Sequence, residues 1–340
     1  MPFRTLFYCG TMYPFRTTNR HRHPYRDLFA VGLCLLLLTV LLLTVLLPAT
    51  VALAKAKETE NDGPPEPITV NRTTRDGVDL SIRYFPGTED ENTIPIMIVH
   101  DWNEEGSDYE EVARFLQSQG YAVVVPDLRG HGDSTQRVNP RSGDSENLIP
   151  EKLRSRDMIN IIRNDLEETK RFLLQENNEK KLNLQKLCII GIGRGSLFAL
   201  NYALMDWSHK DLVGFKQGKD VKAIVLISPV LSSRGLSAKK ALEHPAFEGH
   251  ISMLVVAENN KQTLKNANYI YNRLKNPLTV NDNDNSKSTL FITEKDTKLK
   301  GHKLLTEPEL NTQKIVNAFI LVRLRKSSNI PWEERKRPGE

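Results

Sequence analysis

The segment Leu187-Cys-Ile-Ile-Gly-Ile-Gly-Arg-Gly-Ser196 decides how this chain folds. It opens with the apolar run Lys186 to Ile190, which predicts a buried β-strand. Gly191, Gly193 and Gly195 follow at alternate positions, and a helix is predicted to begin near Gly195. Because glycine permits strained backbone conformations and close packing, this spacing predicts a tight turn between a strand and the helix that follows it.

The spacing excludes two phosphate-binding motifs. A dinucleotide fingerprint, Gly-x-Gly-x-x-Gly, needs a third glycine where Ser196 stands and an acidic residue about 20 positions further on. No acidic residue closes a second strand at that distance, and no Gly-Lys-Ser/Thr follows as a P-loop requires. Taken alone, the segment is also compatible with an ordinary packing turn in an α/β sheet.

Residues 94–134 predict two further strands joined by a helix. An apolar run ends at His100-Asp-Trp102, a helical segment covers 109–120, and a second apolar run leads into Pro126-Asp-Leu-Arg-Gly-His-Gly-Asp-Ser134. Both runs are short, rich in β-branched residues and bounded by turn residues. They are therefore predicted to be buried parallel strands joined by a crossover helix.

Other segments extend the alternation of strands and helices. Residues 158–175 predict an amphipathic helix and residues 137–155 a polar loop. The apolar runs predict three more strands, Val221–Pro229, Ile251–Ala257 and Ser288–Thr293. The pattern indicates the α/β class, with a mostly parallel central sheet and helices on both faces.

The run Pro126–Ser134 resembles a hallmark of the α/β-hydrolase superfamily, which includes serine esterases and peptidases. Arg75-Asp-Gly-Val-Asp-Leu80 and the later Tyr84-Phe-Pro-Gly87 are similar to the opening hairpin of that family. The order of the motifs also agrees, and the resemblance covers about residues 67 to 323. It implies an α/β-hydrolase fold for this part of the chain.

The resemblance also implies the positions of a catalytic triad. In the family, Gly-x-Ser-x-Gly exposes a nucleophilic serine on a strand-to-helix turn. Here the middle position is Gly193, so the nucleophile is missing. The acid position, in Ala257-Glu-Asn-Asn260, is Asn260, and Lys300-Gly-His302 supplies the base. Of the three catalytic side chains, only the remnant base His302 is kept.

These departures predict a pseudoenzyme. Gly193 has no hydroxyl with which to form an acyl intermediate, and the neutral Asn260 lacks the charge that stabilises an imidazolium. The predicted oxyanion region comprises Asp101, Trp102 and Arg194. The family has His-Gly where this chain has His100-Asp101, and a carboxylate at that place opposes a developing negative charge.

Several other side chains are candidates to replace the missing catalytic groups. Ser134 and Ser196 are predicted to be structural, and Cys188 lies within an apolar strand where a thiol is inert. Glu258 is the best substitute acid near His302. The alternative function is thus an active carboxylic-ester or peptide hydrolase with a displaced nucleophile, and a third is a structural envelope protein with a vestigial pocket. No metal-ligand spacing and no cofactor motif is present.

The N-terminus predicts export. Residues 1–27 carry five arginines against the single acid Asp27, and Leu28–Leu47 is an uncharged apolar run. This run has the length of a membrane helix and exceeds a usual signal-peptide core, so a retained anchor is favoured. The alternative is a signal peptide cleaved near Ala54, after Ala52-Leu-Ala54, giving a secreted or periplasmic protein. Either reading places the following domain outside the cytoplasm.

The predicted organisation is a leader and anchor or signal peptide at 1–54, a linker at 55–67, a hydrolase-like domain at 68–325 and a charged tail at 326–340. The net charge of +5 is concentrated in the leader, so a nucleic-acid partner is not indicated. The expected partner is a small apolar or ester-like ligand, or another protein.

Overall fold

A computed structural model of the protein describes residues 63–210, 212, 216–247, 249–275, 288–326 and 329–335. The predicted leader, the apolar run 28–47 and most of the linker lie outside the described residues. Within the described ranges, no helix has the length and apolar character needed to cross a bilayer. One compact unit of the chain begins at Gly63 and extends to the C-terminus.

An eight-stranded sheet forms the centre of this unit. Its strands are β1 (Ile68–Thr73), β2 (Asp79–Phe85), β3 (Pro95–Val99), β4 (Ala122–Pro126), β7 (Leu187–Ile192), β8 (Val221–Ile227), β11 (Ser252–Glu258) and β12 (Leu290–Lys295). They lie side by side in the order β1-β2-β4-β3-β7-β8-β11-β12. β2 runs antiparallel to its neighbours β1 and β4, and the remaining pairs are parallel.

Two short hairpins lie outside the main sheet: β5 (Gln136–Val138) with β6 (Ser145–Asn147), and β9 (Ser232–Ser233) with β10 (Leu236–Ser237). The α-helices are α1 (Glu110–Ser118), α2 (Ser155–Asn160), α3 (Leu166–Asn178), α4 (Gly195–Ser208), α5 (Lys261–Leu274), α6 (His302–Thr306) and α7 (Thr312–Ile320). Two π-helical segments are Ile161–Asp165 and Leu321–Lys326. Short 3-10 helices are Asp90–Asn92, Gly106–Tyr109, Pro150–Lys152, Leu184–Lys186, Ala241–Glu243, Pro245–Phe247 and Pro308–Leu310.

Alternate residues of the central strands serve two separate cores. In β7, Leu187 and Ile189 face one hydrophobic cluster, while Cys188, Ile190 and Ile192 face the other. Successive side chains of a strand point to opposite faces of a sheet, so a strand covered on both faces is apolar throughout. The first cluster takes in residues of α3, α4 and α5, and the second takes in residues of α1, α6 and α7.

The structure corrects the sequence predictions in two places. Residues 137–155, predicted to be a polar loop, contain the β5–β6 hairpin and the 3-10 turn Pro150–Lys152. The predicted helix at 158–175 is a longer helical run in which the π-helical turn Ile161–Asp165 joins α2 to α3. The apolar pattern identifies both regions, but it does not predict short polar strands or a single π-helical turn.

Part of the predicted charged tail lies against the domain. Arg335 is buried, and its guanidinium bonds both carboxylate oxygens of Asp220, at 2.5 and 3.2 Å. Lys170 contacts the same carboxylate at 2.8 Å and that of Asp206 at 2.6 Å. Burial alone would raise the pKa of Asp220, but Lys170 and Arg335 outweigh it and hold this pKa below its usual value. The cluster therefore fixes residues 329–335 to the domain by buried charge pairs.

Replacing Arg335 with alanine should destabilise the folded domain by about 3 kcal/mol, because Asp220 loses its bidentate buried partner and keeps Lys170 and the more distant Lys216. Urea unfolding followed by circular dichroism measures the change. Arg171→Ala is the matched control: Arg171 is about half exposed and pairs with Glu168 on the surface, so its loss should cost at most about 0.5 kcal/mol. Equal effects of the two substitutions would show that the tail contributes nothing to stability.

Candidate active site

The site predicted from sequence lies where the strand order reverses. β4 lies on one side of β3 and β7 lies on the other. The connection from β3 to β4 and the connection from β4 to β7 therefore run in opposite directions across the sheet. Ligands of open α/β sheets bind at the carboxyl ends of strands at such a switch point. Asp101 follows the end of β3, and Gly193 follows the end of β7.

The turn after β7 has the backbone of a nucleophile elbow. Gly193 has φ of 53°, in the left-handed region that side chains disfavour. A Cβ built on Gly195 would lie 2.8 Å from the carbonyl oxygen of His100, and one on Gly191 would lie 2.7 Å from the Cα of Ser196. The flanking glycines therefore allow α4 to start directly against β3 and β7.

The carboxylate of Asp101 occupies the space in which a side chain at position 193 would stand. A Cβ built on Gly193 would lie 2.5 Å from Oδ1 of Asp101 and closer still to its Cγ and Oδ2. Oδ1 accepts hydrogen bonds from the backbone N–H of Trp102 at 2.7 Å and of Arg194 at 2.8 Å. Oδ2 has no hydrogen-bond partner in the described part of the chain, and Asp101 is partly exposed.

The two donors to Asp101 are the groups that would form an oxyanion hole. In the hydrolase pattern the hole consists of the N–H after the nucleophile position and an N–H of the loop after β3. Arg194 and Trp102 hold these two positions. Their N–H groups both donate to a carboxylate of the chain itself, so the three residues predicted for the oxyanion region are in contact with one another.

Aromatic and histidine contacts fix the loop that carries Asp101. The Trp102 ring lies 5.3 Å from the guanidinium carbon of Arg194 and 4.9 Å from that of Arg234. His100 accepts the N–H of Leu128 at Nε2, at 3.0 Å, and so its Nδ1 carries the proton and donates to the carbonyl of Asp101 at 2.6 Å. The carboxylate therefore sits on an ordered backbone.

The segment that carries the predicted base His302 and the turn at Gly193 are held at the same strand end. Gly301, immediately before His302, donates its N–H to the hydroxyl of Ser228 at 2.9 Å, and Gly193 donates its N–H to the carbonyl of Ile227 at 2.9 Å. The backbone at Gly193 and the backbone at Gly301 are thus both hydrogen-bonded to residues at the end of β8. The His302 ring packs edge-on against Tyr109, with centroids 5.8 Å apart. Among the described residues, no hydrogen bond or ion pair involves this ring.

The structure does not join Asn260 to His302 by a hydrogen bond. The side-chain oxygen of Asn260 caps α5 by accepting the N–H groups of Gln262 and Thr263, at 2.9 and 3.3 Å. Glu258, the substitute acid, is buried at the end of β11, and one of its oxygens accepts the Thr263 hydroxyl at 2.6 Å. Its other oxygen, Oε2, is buried without a partner.

A second carboxylate at the site had no sequence signal. Glu104 accepts the hydroxyl proton of Tyr109 and approaches the N–H of Asp101 at 3.4 Å. Burial, and then the charge of Glu104, raises the pKa of Tyr109 far above its usual value, so this hydroxyl stays protonated. Asp101, Glu104, Tyr109 and His302 therefore form one contiguous group of side chains.

The alternative nucleophiles are engaged elsewhere. Ser134 is buried and its hydroxyl accepts the N–H of Ser81 at 2.9 Å, while the Ser196 hydroxyl donates to the carbonyl of Gly191 at 2.9 Å. Cys188 is fully buried, which raises the pKa of its thiol well above the ordinary value. Ser228, which sequence reasoning missed, has φ of 49°. Its position in Ile227-Ser-Pro229, at a predicted strand end, was the available signal.

A family model for the α/β hydrolase fold matches residues 94–274. The chain belongs to the α/β-hydrolase superfamily. A non-heme chloroperoxidase of Burkholderia pyrrocinia is 33% identical to this hydrolase-fold chain over 64 residues. That match spans 19% of this chain and 22% of the chloroperoxidase.

Solved structures agree with this fold. The thermostable carboxylesterase EstE1, cloned from a metagenomic library, superposes with a TM-score of 0.54 at 13% identity, over 77% of this chain and 90% of its own. An esterase of Pyrobaculum calidifontis gives a TM-score of 0.53 at 14% identity, over 77% of this chain and 87% of its own. Identities this low establish the fold class and carry no information on activity.

The pH dependence of stability should report the buried His100. Burial, and then the nearby His131, lowers the pKa of His100 to about 3. The unfolded chain takes up a proton at this histidine below about pH 6.5, whereas the folded domain does not, so this residue makes stability fall as the pH drops from about 6.5 towards 3.

Replacing His100 with asparagine should remove up to about 1.4 kcal/mol per pH unit from the slope of stability against pH below about pH 6. Urea unfolding of both proteins at a series of pH values measures the two slopes. The substitution should also cost about 1 to 3 kcal/mol at neutral pH, because the N–H of Leu128 loses its acceptor. Identical slopes would mean that His100 is protonated in the folded protein.

Proposed function

We propose that this protein is an extracytoplasmic, membrane-tethered member of the α/β-hydrolase superfamily that does not carry out serine-type acyl transfer. Its strand-end site is retained to bind a small organic ligand. The observation that carries the proposal is the Asp101 carboxylate, which accepts the N–H groups of Trp102 and Arg194 and fills the space beside Gly193.

Three requirements of serine-type acyl transfer are unmet at this site. Position 193 offers no hydroxyl to attack a carbonyl carbon. The two N–H groups that would stabilise a tetrahedral oxyanion already bind Oδ1 of Asp101. The side chain at the acid position, Asn260, caps α5. Each of these missing features would by itself severely impair acyl transfer. Together they support a binding function and argue against ester or peptide hydrolysis.

The alternative, a hydrolase with a displaced serine, has one structural candidate. Ser228 lies in the left-handed region, and non-glycine residues in such conformations cluster at functional sites. Its hydroxyl accepts the N–H of Gly301, next to His302. Against this alternative, the N–H groups of Trp102 and Arg194, which the hydrolase pattern would use as an oxyanion hole, are taken by Asp101.

The purified protein should neither turn over activated esters nor react with a fluorophosphonate, since no activated hydroxyl is present. The measurements are p-nitrophenyl butyrate hydrolysis and in-gel fluorescence of the labelled protein, with Ser228→Ala as the comparison. Labelling of the wild-type protein that Ser228→Ala abolishes would establish the displaced-serine hydrolase instead.

Restoring the elbow should require two changes together. Gly193→Ser alone should give no labelling, because its Cβ would collide with the Asp101 carboxylate. Asp101→Gly combined with Gly193→Ser vacates the oxyanion hole and supplies the hydroxyl, so fluorophosphonate labelling should appear, and Asn260→Asp should increase it. Because triad members act as a unit, the gain should exceed the sum of the single changes. Labelling of Gly193→Ser alone would show that Asp101 does not block the site.

The run Leu28–Leu47 is expected to stay attached and to keep the protein in the membrane fraction. Alkaline extraction of membranes, followed by N-terminal sequencing, tests this. Ala54→Arg serves as the control, because it destroys the small-x-small cleavage pattern. Wild type and Ala54→Arg should both remain membrane-bound at the same length. A soluble wild-type form beginning at Lys55, missing in Ala54→Arg, would show a cleaved signal peptide.

A further inference from the structure

A cleft separate from the strand-end site is lined by side chains of both charges. Its volume is about 380 Å³, which is large enough for a small ligand. Arg75 lines it from the turn between β1 and β2, and Arg163 lines it from the π-helical turn before α3. Glu167, Glu168 and Arg171 line it from α3. The cleft shares none of these residues with the site around Gly193.

Some of these charges are already paired within the protein. The guanidinium of Arg171 contacts the carboxylate of Glu168 at 3.1 Å, so these two charges offset each other. One oxygen of Glu167, Oε2, accepts the hydroxyl proton of Tyr202 at 3.1 Å. The other oxygen, Oε1, has no partner among the residues that the structure describes. Half of this carboxylate is therefore left for a ligand.

Two cations of the cleft are unpaired. Arg75 and Arg163 are exposed, and within the described ranges neither guanidinium makes a hydrogen bond or an ion pair. After internal pairing, the cleft thus offers two guanidinium groups and one oxygen of Glu167. This remainder is a pattern of two positive charges beside one negative charge.

The π-helical turn explains why Arg163 is unpaired. In a regular α-helix, residues four apart such as Arg163 and Glu167 are neighbours and form ion pairs. Arg163 lies in the turn Ile161–Asp165, whose hydrogen bonds span five residues and offset the side chains before it from those of α3. No ion pair joins the two residues in the described structure. Single π-helical turns of this kind frequently occur at functional sites.

One buried guanidinium holds the two segments that carry these arginines. Arg129 is fully buried and bonds Asp76 at 2.7 Å and Asp165 at 2.6 Å. Asp76 directly follows Arg75, and Asp165 is the last residue of the π-helical turn that contains Arg163. The backbone at both arginines is therefore fixed before a ligand arrives, which lowers the entropic cost of binding.

The unpaired charges select one class of ligand. The planar guanidinium matches phosphate oxygens through paired hydrogen bonds, and a phosphomonoester carries about −1.5 to −2 charge at pH 7. It can therefore neutralise both arginines, whereas a carboxylate or a phosphodiester has a single negative charge. The free oxygen of Glu167 would repel a simple anion, but it would attract an ammonium group at the other end of the ligand.

We propose that this cleft is a binding site for an aminoalkyl phosphate, with the phosphate between Arg75 and Arg163 and the ammonium group at Glu167. The inference goes beyond the proposed function, because it concerns a second site with its own ligand.

Isothermal titration calorimetry of the full-length protein with phosphoethanolamine tests this assignment. Wild type should bind phosphoethanolamine at least about tenfold more tightly than inorganic phosphate, which lacks the ammonium group. It should show the same preference over glycerophosphoethanolamine, a phosphodiester with the charges of a lipid headgroup. Equal affinity for the diester would identify a lipid headgroup as the ligand and overturn the phosphomonoester assignment.

Single substitutions assign each contact. Arg75→Gln and Arg163→Gln should each weaken phosphoethanolamine binding about tenfold, because a charged contact to the phosphate is lost. Glu167→Gln keeps an oxygen acceptor for Tyr202 and should erase the preference over inorganic phosphate. Arg156→Gln is the matched control: it removes an exposed arginine of α2 that lies outside the cleft, and it should leave the affinity unchanged.

Three results would overturn the proposal. They are no binding of phosphoethanolamine, equal affinity for phosphoethanolamine and inorganic phosphate, and a loss in Arg156→Gln as large as that in Arg163→Gln. The last would mean a nonspecific response to surface charge. None of these measurements involves ester turnover or fluorophosphonate labelling, so failure here is distinguishable from failure of the proposed function.

Discussion

The bonding of one carboxylate oxygen by two backbone N–H groups sets the character of this site. Charge-assisted hydrogen bonds of this kind are about twice as strong as neutral ones. Oδ1 of Asp101 receives the N–H groups of Trp102 and Arg194, and the carboxylate then fills the volume beside Gly193. Any side chain at position 193 would displace the Asp101 carboxylate. The acid at 101 and the glycine at 193 are therefore a single coupled feature of the fold, although 92 positions of sequence separate them.

The rest of the hydrolase framework is kept around this feature. Gly191 and Gly195 let α4 start against β3 and β7. His100 ties the end of β3 to Leu128, and Ser134 ties the loop after β4 to β2. These contacts hold the loop after β3 and the turn after β7 in register. In an active hydrolase this rigid backbone would direct N–H groups at an oxyanion. In this protein it directs them at the Asp101 carboxylate.

The two ends of the sheet carry different kinds of polar group. At the carboxyl ends, Oδ2 of Asp101 and the His302 ring have no hydrogen-bond partner among the residues that the structure describes. At the amino end of β8, Asp220 is fully paired with Lys170 and Arg335. Buried charges that are fully paired hold structure together, whereas unpaired polar groups at strand ends are available to a ligand.

Residue patterns alone predicted the fold class, the succession of the main strands and helices along the chain, and the absence of a hydroxyl at position 193. Strand periodicity and glycine spacing are local properties of the sequence. A strand that is apolar throughout must also be covered on both faces of the sheet, which restricts how it can pack. The sequence also predicted that His302 and the residues Asp101, Trp102 and Arg194 follow strand ends, and the structure has each of them after a strand. The contacts appear only in the folded protein: the Asp101 carboxylate accepts the N–H groups of Trp102 and Arg194, Asn260 caps α5, and Tyr109 bonds Glu104 and packs against the His302 ring. These are contacts between residues from separate loops, and their geometry depends on ångström-scale placement of side chains that no local pattern encodes.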